Sequence, residues 1–286
     1  MKHIRRDELS RYPLWHSWQG WRARIGVIYP GAGFHHLGDF FKLRPQGVAV
    51  GGTGVPRHRN ESAEAMLELD RHVVDAARLL AAHEPDVIVW MCTAGSFLKG
   101  KGHDERIIRE MEEATGIPCT TTSTAVMEAF RELSVTRVAL VTPYPDEVNE
   151  IEREFLEANG FQVVAADGLN LTDNNILAHL SPSVLYRLAK EVTPPEAEAV
   201  FISCTGLDVL DVIQPLERDL GRPVVTSNQA SYWLAFRMAG VGDVVEGYGE
   251  LMRRPWRRGE ARRLRGWSRL RGRAPAAVAP GSGGCG

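Results

Sequence analysis

Two cysteines, Cys92 and Cys204, occupy matched settings in this 286-residue chain. Each closes a short apolar run, and each is followed by a threonine and a glycine-containing turn: Cys92-Thr93-Ala94-Gly95 and Cys204-Thr205-Gly206. A thiol between a strand end and a helix start feels the positive end of the helix, which draws its pKa toward neutrality. Such a thiol is a general base as thiolate and a general acid as thiol, and it can add to carbon as a nucleophile. Buried cysteines also serve simply as small hydrophobes. The matched surroundings of these two favour the chemical role, with one thiol on each side of a small carboxylate.

The flanking residues suit an anionic substrate. Thr93, Gly95, Ser96, Thr205 and Gly206 offer hydroxyls and open backbone N–H groups, which a carboxylate or an enediolate formed from it needs in a dry pocket; Thr and Ser also cap helices, and both roles are compatible. Thr121, Thr122 and Ser123, with Thr226, Ser227 and Asn228, form a second pair of strand-end clusters, readable as anion ligands or as helix caps. Tyr144, in Val141-Thr142-Pro143-Tyr144-Pro145, is placed to donate a phenolic hydrogen bond or to pack in a surface turn. Asn170, Asn174 and Asn175 lie in a polar loop, where some simply make turns. Pro30-Gly31-Ala32-Gly33 follows the first strand but lacks a full phosphate-loop pattern, so no nucleotide is assigned. His35 and His36 close that loop and read as solvated rather than metal-binding.

Such residues must be positioned by something, and the chain alternates short apolar runs with amphipathic segments. Strands are expected at 24–29, 47–50, 86–91, 119–121, 138–142, 162–166, 199–203 and 224–226. The better ones are continuously apolar, as in parallel strands covered on both faces. Helices are expected at 63–83, 104–115, 125–133, 147–159, 183–191, 207–220 and 229–238. The βαβα order predicts an α/β protein. The segments after the cysteines repeat as well: residues 116–125 and 221–230 both fit Gly-x-Pro-x-x-Thr-Thr/Ser-x-x-Ala. Two such β–Cys–α–β units predict two Rossmann-like domains with parallel sheets, related by a pseudo-two-fold axis. Ligands of open α/β sheets sit beyond the carboxyl ends of strands, so the expected site is the interdomain cleft. The first domain is expected at 1–125, with 228–250 returning to it, the second at 126–227, and a basic tail at 251–286.

The length fits two domains that fold without disulfides or metal. With 44% hydrophobic and 24% charged residues, the chain is neither disordered nor fibrous. Four scattered cysteines and the lack of any CxxC pair argue against a disulfide framework and a zinc site. A charged N-terminus and the lack of a long apolar run predict no membrane partner and a cytoplasmic protein. Residues 251–286 hold ten arginines against Glu260, a charge of +9 that leaves about −11 for the rest of a chain whose net charge is −2. A basic run can bind nucleic acid, but a solvated terminal helix and a disordered Gly-rich end explain it better.

From about residue 24 to 240 the chain resembles the aspartate/glutamate racemase superfamily, in its maleate cis–trans isomerase and arylmalonate decarboxylase branch. The resemblance rests on Met91-Cys-Thr-Ala-Gly-Ser-Phe, residues 118–125, Thr142-Pro-Tyr-Pro-Asp-Glu-Val-Asn, Ser203-Cys-Thr-Gly-Leu and residues 217–230. It implies two Rossmann-like domains, a cofactor-independent reaction and a homo-oligomer. It also implies carboxylate-binding roles for Thr93, Tyr144, Thr205 and an asparagine near Asn174, in a site that also takes in Ala94, Gly206, Pro30 and Gly31. The decarboxylases of the branch carry glycine where this chain has Cys92, and serine where it has Ala94, so the chain sides with the two-cysteine isomerases and racemases. The Pro30-Gly31-Ala32-Gly33 loop departs from the Pro-Ser-Ser-Asn pattern of maleate isomerases and is closer to the decarboxylases. Ectoine-utilisation proteins of the branch look at least as similar.

The leading expectation is therefore an isomerase or racemase of a small carboxylic acid, using Cys92 and Cys204 with no cofactor and no metal. The runner-up is an arylmalonate-type decarboxylase using Cys204 alone. A two-lobed small-molecule binding protein is the non-enzyme alternative, although such a module has no reason for paired strand-end cysteines.

Overall fold

The computed structural model describes residues 19–57 and 68–255. Eight strands form two four-stranded, all-parallel sheets. The first contains β1 (Ala23–Pro30), β2 (Val48–Val55), β3 (Val87–Trp90) and β4 (Cys119–Thr121), in the order β2-β1-β3-β4. The second contains β5 (Arg137–Thr142), β6 (Gln162–Gly168), β7 (Ala199–Ile202) and β8 (Val224–Thr226), in the order β6-β5-β7-β8. The repeat read from the sequence extends to strand register. Trp90 pairs with Ile28 and Thr121, and Ile202 pairs with Val141 and Thr226. Each of these residues stands two positions before its cysteine, so the sheets place the two thiols equivalently.

The described helices are α1 (Phe34–Leu43), α2 (Asp70–Ala81), α3 (Thr93–Phe97), α4 (His103–Thr115), α5 (Thr122–Leu133) and α6 (Asp146–Ala158), then α7 (Asn174–Ala178), α8 (Pro182–Val192), α9 (Leu210–Leu220), α10 (Ser227–Met238) and α11 (Gly249–Arg253). Their ends follow local chemistry. Ser181 caps α8 with proline at its first position, and α10 starts on a capping box between Thr226 and Gln229. Gly116 and Gly221 end α4 and α9 in the left-handed conformation that favours glycine.

The helices that follow β4 and β8 join the lobes. α5 and α10 pack against each other. Phe130 of α5 meets Phe161 and Phe201 of the second lobe at ring-centroid distances of 5.1 and 5.7 Å. Tyr232 of α10 meets Phe40 of α1 at 5.3 Å. One apolar cluster consequently runs through both sheets, from Ile25, Val27 and Val89 to Leu140, Val200 and Val225. A smaller cluster on the outer face of the first sheet includes Ile28, Val73, Ile108, Met111 and Cys119.

Four expectations need correction. β2 continues to Val55 rather than stopping at Val50, because a parallel edge ladder to β1 carries its Gly51-Gly52-Thr53-Gly54 stretch. Helix α9 starts at Leu210, not 207, and residues 207–209 are an irregular connection. The segment after Gly33 is not a solvated loop but helix α1, whose His36, Asp39, Phe40 and Leu43 are buried. Leu251 and Met252, expected in the basic tail, are buried in α11. The arginine run from residue 256 onward lies outside the described residues, as does the start of the helix expected at 63–83. No described helix is long and apolar enough to cross a membrane.

Candidate active site

Cys92 and Cys204 both line one cleft at the carboxyl ends of the strands, together with Pro30, His36, Arg57, Leu69, Thr93, Ala94, Tyr144, Thr205 and Gly206. The cleft encloses about 20 Å³, room for roughly one water. It opens into a vestibule of about 450 Å³ walled by Gly31, Phe34, His35, Asn175 and Leu177, and sharing Pro30, His36, Arg57 and Gly206. Both cysteines are buried, at 8% and 6% exposure, so the thiols react only with what enters the cleft.

The two thiols receive a backbone donor by different routes. Cys92 is the N-cap of α3, and its Sγ accepts the Gly95 N–H at 3.3 Å. Gly95 allows this approach, since a Cβ there would lie 3.0 Å from the sulfur. Cys204 does not start a helix, because α9 begins only at Leu210. Instead a tight turn aims the Gly206 N–H at its Sγ, at 3.4 Å. The turn holds Cys204 at φ 94°, a left-handed conformation that costs a non-glycine residue about 1–3 kcal/mol and concentrates at functional positions. An N–H directed at sulfur stabilises negative charge on it.

The strand-end clusters are caps and braces rather than cleft walls. Thr121 and Thr226 cap α5 and α10, and none of Thr121, Thr122, Ser123, Thr226, Ser227 and Asn228 lines the cleft. The Ser227 hydroxyl accepts from Thr93 Oγ1 at 2.9 Å and from the Cys204 N–H at 3.0 Å, joining the two thiol turns. Ser123 Oγ donates to the Thr93 carbonyl, and Asn228 Nδ2 donates to the equivalent Thr205 carbonyl, at 3.2 and 3.0 Å. Thr205 Oγ1 donates across the lobes to the Met91 carbonyl at 3.2 Å. The hydroxyl protons of Thr93 and Thr205 are thus engaged within the protein, which leaves their oxygen lone pairs and backbone N–H groups for a ligand. Ser227→Ala leaves two buried donors unpaired and is expected to destabilise the fold by roughly 1–3 kcal/mol, measurable by urea unfolding; an unchanged midpoint would show that the brace is dispensable.

The remaining predicted residues divide. Tyr144 is 2% exposed and packs edge-on to Phe97, so it is a cleft residue and not a surface turn. Pro30 and Ala94 line the inner cleft, whereas Gly31 reaches only the vestibule. Asn174 begins α7, and its neighbour Asn175 faces the vestibule. Asn170 adopts the left-handed backbone conformation, at φ 49°. His36, Arg57 and Leu69 were missed. For His36 a signal existed, because residues 36, 40 and 43 follow the helical spacing of an apolar face. No group of three or more His, Cys, Asp or Glu among the described residues is placed to hold a metal.

Two buried carboxyls stand behind the thiol turns. Burial raises Asp39 to about 7, opposed by the hydrogen bond from Asn228. Burial likewise raises Glu152 to about 8, opposed by the hydrogen bond from Ser203 Oγ at 2.6 Å. The unfolded Glu152 carboxyl ionises near 4.5. From there up to about pH 8 only the unfolded chain has lost this proton, so stability falls as pH rises through that window. Glu152→Gln keeps the acceptor for Ser203 and cannot ionise. It is expected to stabilise the fold at pH 7 by on the order of 2–3 kcal/mol, with little effect at pH 4. A wild-type stability curve that is flat over this range in the same comparison would refute the neutral carboxyl.

Cys119, by contrast, is a core residue. It is 2% exposed in β4 and donates its thiol to the Ile117 carbonyl at 3.2 Å. Cys119→Val, which reproduces Val224 of the other unit, is expected to keep turnover and to change stability by less than about 1.5 kcal/mol. Loss of turnover in a folded Cys119→Val protein would overturn the division of the cysteines into catalytic and core residues.

Two parallel α/β lobes that each present one cysteine to a shared cleft are the class of protein that this fold and site define. The sequence profile of the arylmalonate decarboxylase family matches residues 26–252, and the chain belongs to that family. It is 37% identical over 231 residues to an arylmalonate decarboxylase of Bordetella bronchiseptica, covering 79% of this chain and 95% of that protein. It is 28% identical over 231 residues to a maleate isomerase of Nocardia farcinica, covering 79% and 86%. Among solved structures, a liganded double mutant of arylmalonate decarboxylase superimposes with TM-score 0.76 at 36% identity, covering 80% of this chain and 98% of that one. The fold also matches a Nocardia farcinica maleate cis–trans isomerase carrying a covalently bound succinylcysteine intermediate, with TM-score 0.77 at 23% identity and coverage of 81% and 98%. The relatives are decarboxylases and isomerases, so the chain is a member of a family of enzymes.

Proposed function

We propose that this protein is a cofactor-independent isomerase or racemase of a small carboxylic acid, with Cys92 and Cys204 as its catalytic thiols. The observation that carries the reading is the convergence of both cysteines, one from each lobe, on a single cleft. In cis–trans isomerisation, one thiolate adds to the alkene, the resulting single bond rotates, and elimination of the thiolate gives the trans acid. In racemisation, one thiolate removes the α-proton and the other thiol returns a proton on the opposite face. Either course builds negative charge on the substrate carboxylate. The N–H groups of the two thiol turns, at Thr93, Ala94, Thr205 and Gly206, and the Tyr144 hydroxyl receive that charge. Pro30 shapes the near wall and Gly31 the vestibule, and Asn174 is assigned a further carboxylate-binding role.

A second reading, decarboxylation of an arylmalonate by Cys204 alone, is favoured by the 37% identity to an arylmalonate decarboxylase. It requires one thiol to protonate the carbanion left by departing carbon dioxide. Incubation with maleate, aspartate derivatives and arylmalonates in deuterated water, followed by proton NMR, separates the readings. Fumarate formation or deuterium exchange at an α-carbon supports the two-thiol enzyme. Deuterated arylacetate without either product would replace it with the decarboxylase.

A further inference from the structure

His36 lies on the wall shared by the inner cleft and the vestibule, beside Pro30, Arg57 and Gly206. It is 4% exposed, yet neither Nδ1 nor Nε2 makes a hydrogen bond of normal geometry. The ring is fixed in place. It stacks on Tyr29 at 5.5 Å and 29°, and the backbone of His36 is pinned by the Tyr232 hydroxyl, which donates to its carbonyl at 2.7 Å. A buried polar group left unpaired is costly, and such orphans are explained where a ligand supplies the missing bond. Burial first, and then the charges of Arg57 and His35, hold the imidazole down at about 3, against a smaller opposing pull from the Met91 carbonyl. At neutral pH the ring is therefore uncharged and presents one N–H and one lone pair.

We propose that His36 hydrogen-bonds the bound acid at a polar group other than the carboxylate held by the thiol turns, and so selects acids that carry a second hydrogen-bonding group. This rests on the reading that the cleft binds a small carboxylic acid. Arg57, at the junction of the two compartments, disfavours a cation there, so the second group is a carboxylate or a neutral amide or hydroxyl. A site built around a polar partner rejects an analogue that lacks it, because the protein's own group is then left unpaired.

The probes are malonate, malonamate and propionate, and the readout is protection of Cys92 and Cys204 from iodoacetamide, followed by mass spectrometry. The wild-type protein is expected to bind malonate or malonamate at least about tenfold more tightly than propionate. His36→Phe should erase that ratio by weakening malonate and malonamate. His36→Asn, neutral with a donor and an acceptor, should restore part of it. The relative protection by malonate and malonamate tells an anionic second group from an amide. An unchanged ratio in His36→Phe, or an equal loss for all three probes, overturns the assignment of His36 and leaves the carboxylate site standing. No protection of the wild-type thiols by any probe overturns the carboxylate site and His36 with it. If His36→Phe does not fold, the same ratio in His36→Leu decides.

Discussion

Cys204→Ser is expected to lower turnover by roughly a thousandfold or more, whichever reaction the cleft performs. Serine keeps the size and the backbone of the turn but is not ionised near neutral pH, so it supplies neither a base nor an unaided nucleophile. The Gly206 N–H that now points at the sulfur would face a neutral hydroxyl. The main-chain strain at φ 94° is the same for either residue, so stability should change little. The loss should therefore appear in kcat and not in the unfolding midpoint. Removing one member of a catalytic unit costs about as much as removing all of them, and this sets the magnitude. A Cys204→Ser protein with more than about a tenth of wild-type turnover would remove Cys204 from the chemistry.

The Cys92 variants carry the second large effect, and they decide between the two readings. If each thiol serves one face of the substrate, Cys92→Ser should cut isomerisation or racemisation as deeply as Cys204→Ser, and the double mutant should be no worse than either single one. Cys92→Gly should be equally inactive in those reactions. Its effect on an arylmalonate should be opposite, because the resembling decarboxylases carry glycine at this position. There Cys92→Gly should retain or gain decarboxylation, while Cys204→Ser has none. Both variants must be measured with both substrate types. Near-wild-type isomerisation by Cys92→Ser would refute the two-thiol mechanism. The Gly95 N–H now bonded to Cys92 Sγ loses that partner in Cys92→Gly, so a modest loss of stability, up to about 1–3 kcal/mol, is expected there and has to be separated from kcat.

Cys204 also shows how local sequence and tertiary structure divide the work. The repeat of strand, cysteine, threonine and glycine turn was visible in the chain, and so was the second repeat, Gly-x-Pro-x-x-Thr-Thr/Ser-x-x-Ala. Similar local sequences make similar local structures, and the register confirms this: Trp90 and Ile202 hold equivalent ladder positions. Continuous apolar strands with helices between them were sufficient to predict parallel sheets covered on both faces. The means of stabilising the two thiols was not visible. Helix starts were expected at both cysteines, but only Cys92 has one, a helix of five residues. At Cys204 a strained turn does the same task.

What only the tertiary structure decided are the pairings between residues far apart in the chain. His36 reads as a loop histidine until α1 is seen packing under Tyr232, a contact spanning 196 positions. Arg57 and Leu69 reach the cleft wall only because β2 and α2 bring them there. Thr93 and Ser227, 134 positions apart, share a hydrogen bond because α10 crosses to the first lobe. The strand-end Thr, Ser and Asn residues were equally readable as ligands or caps, because either role uses the same hydroxyls and amides. The bonds they make settled it: Thr121 and Thr226 cap helices, and Ser123, Ser227 and Asn228 brace the two thiol turns. Sequence fixes which local geometries are available. Which of them face one another depends on loop closure and core packing, and neither is encoded within a single short window.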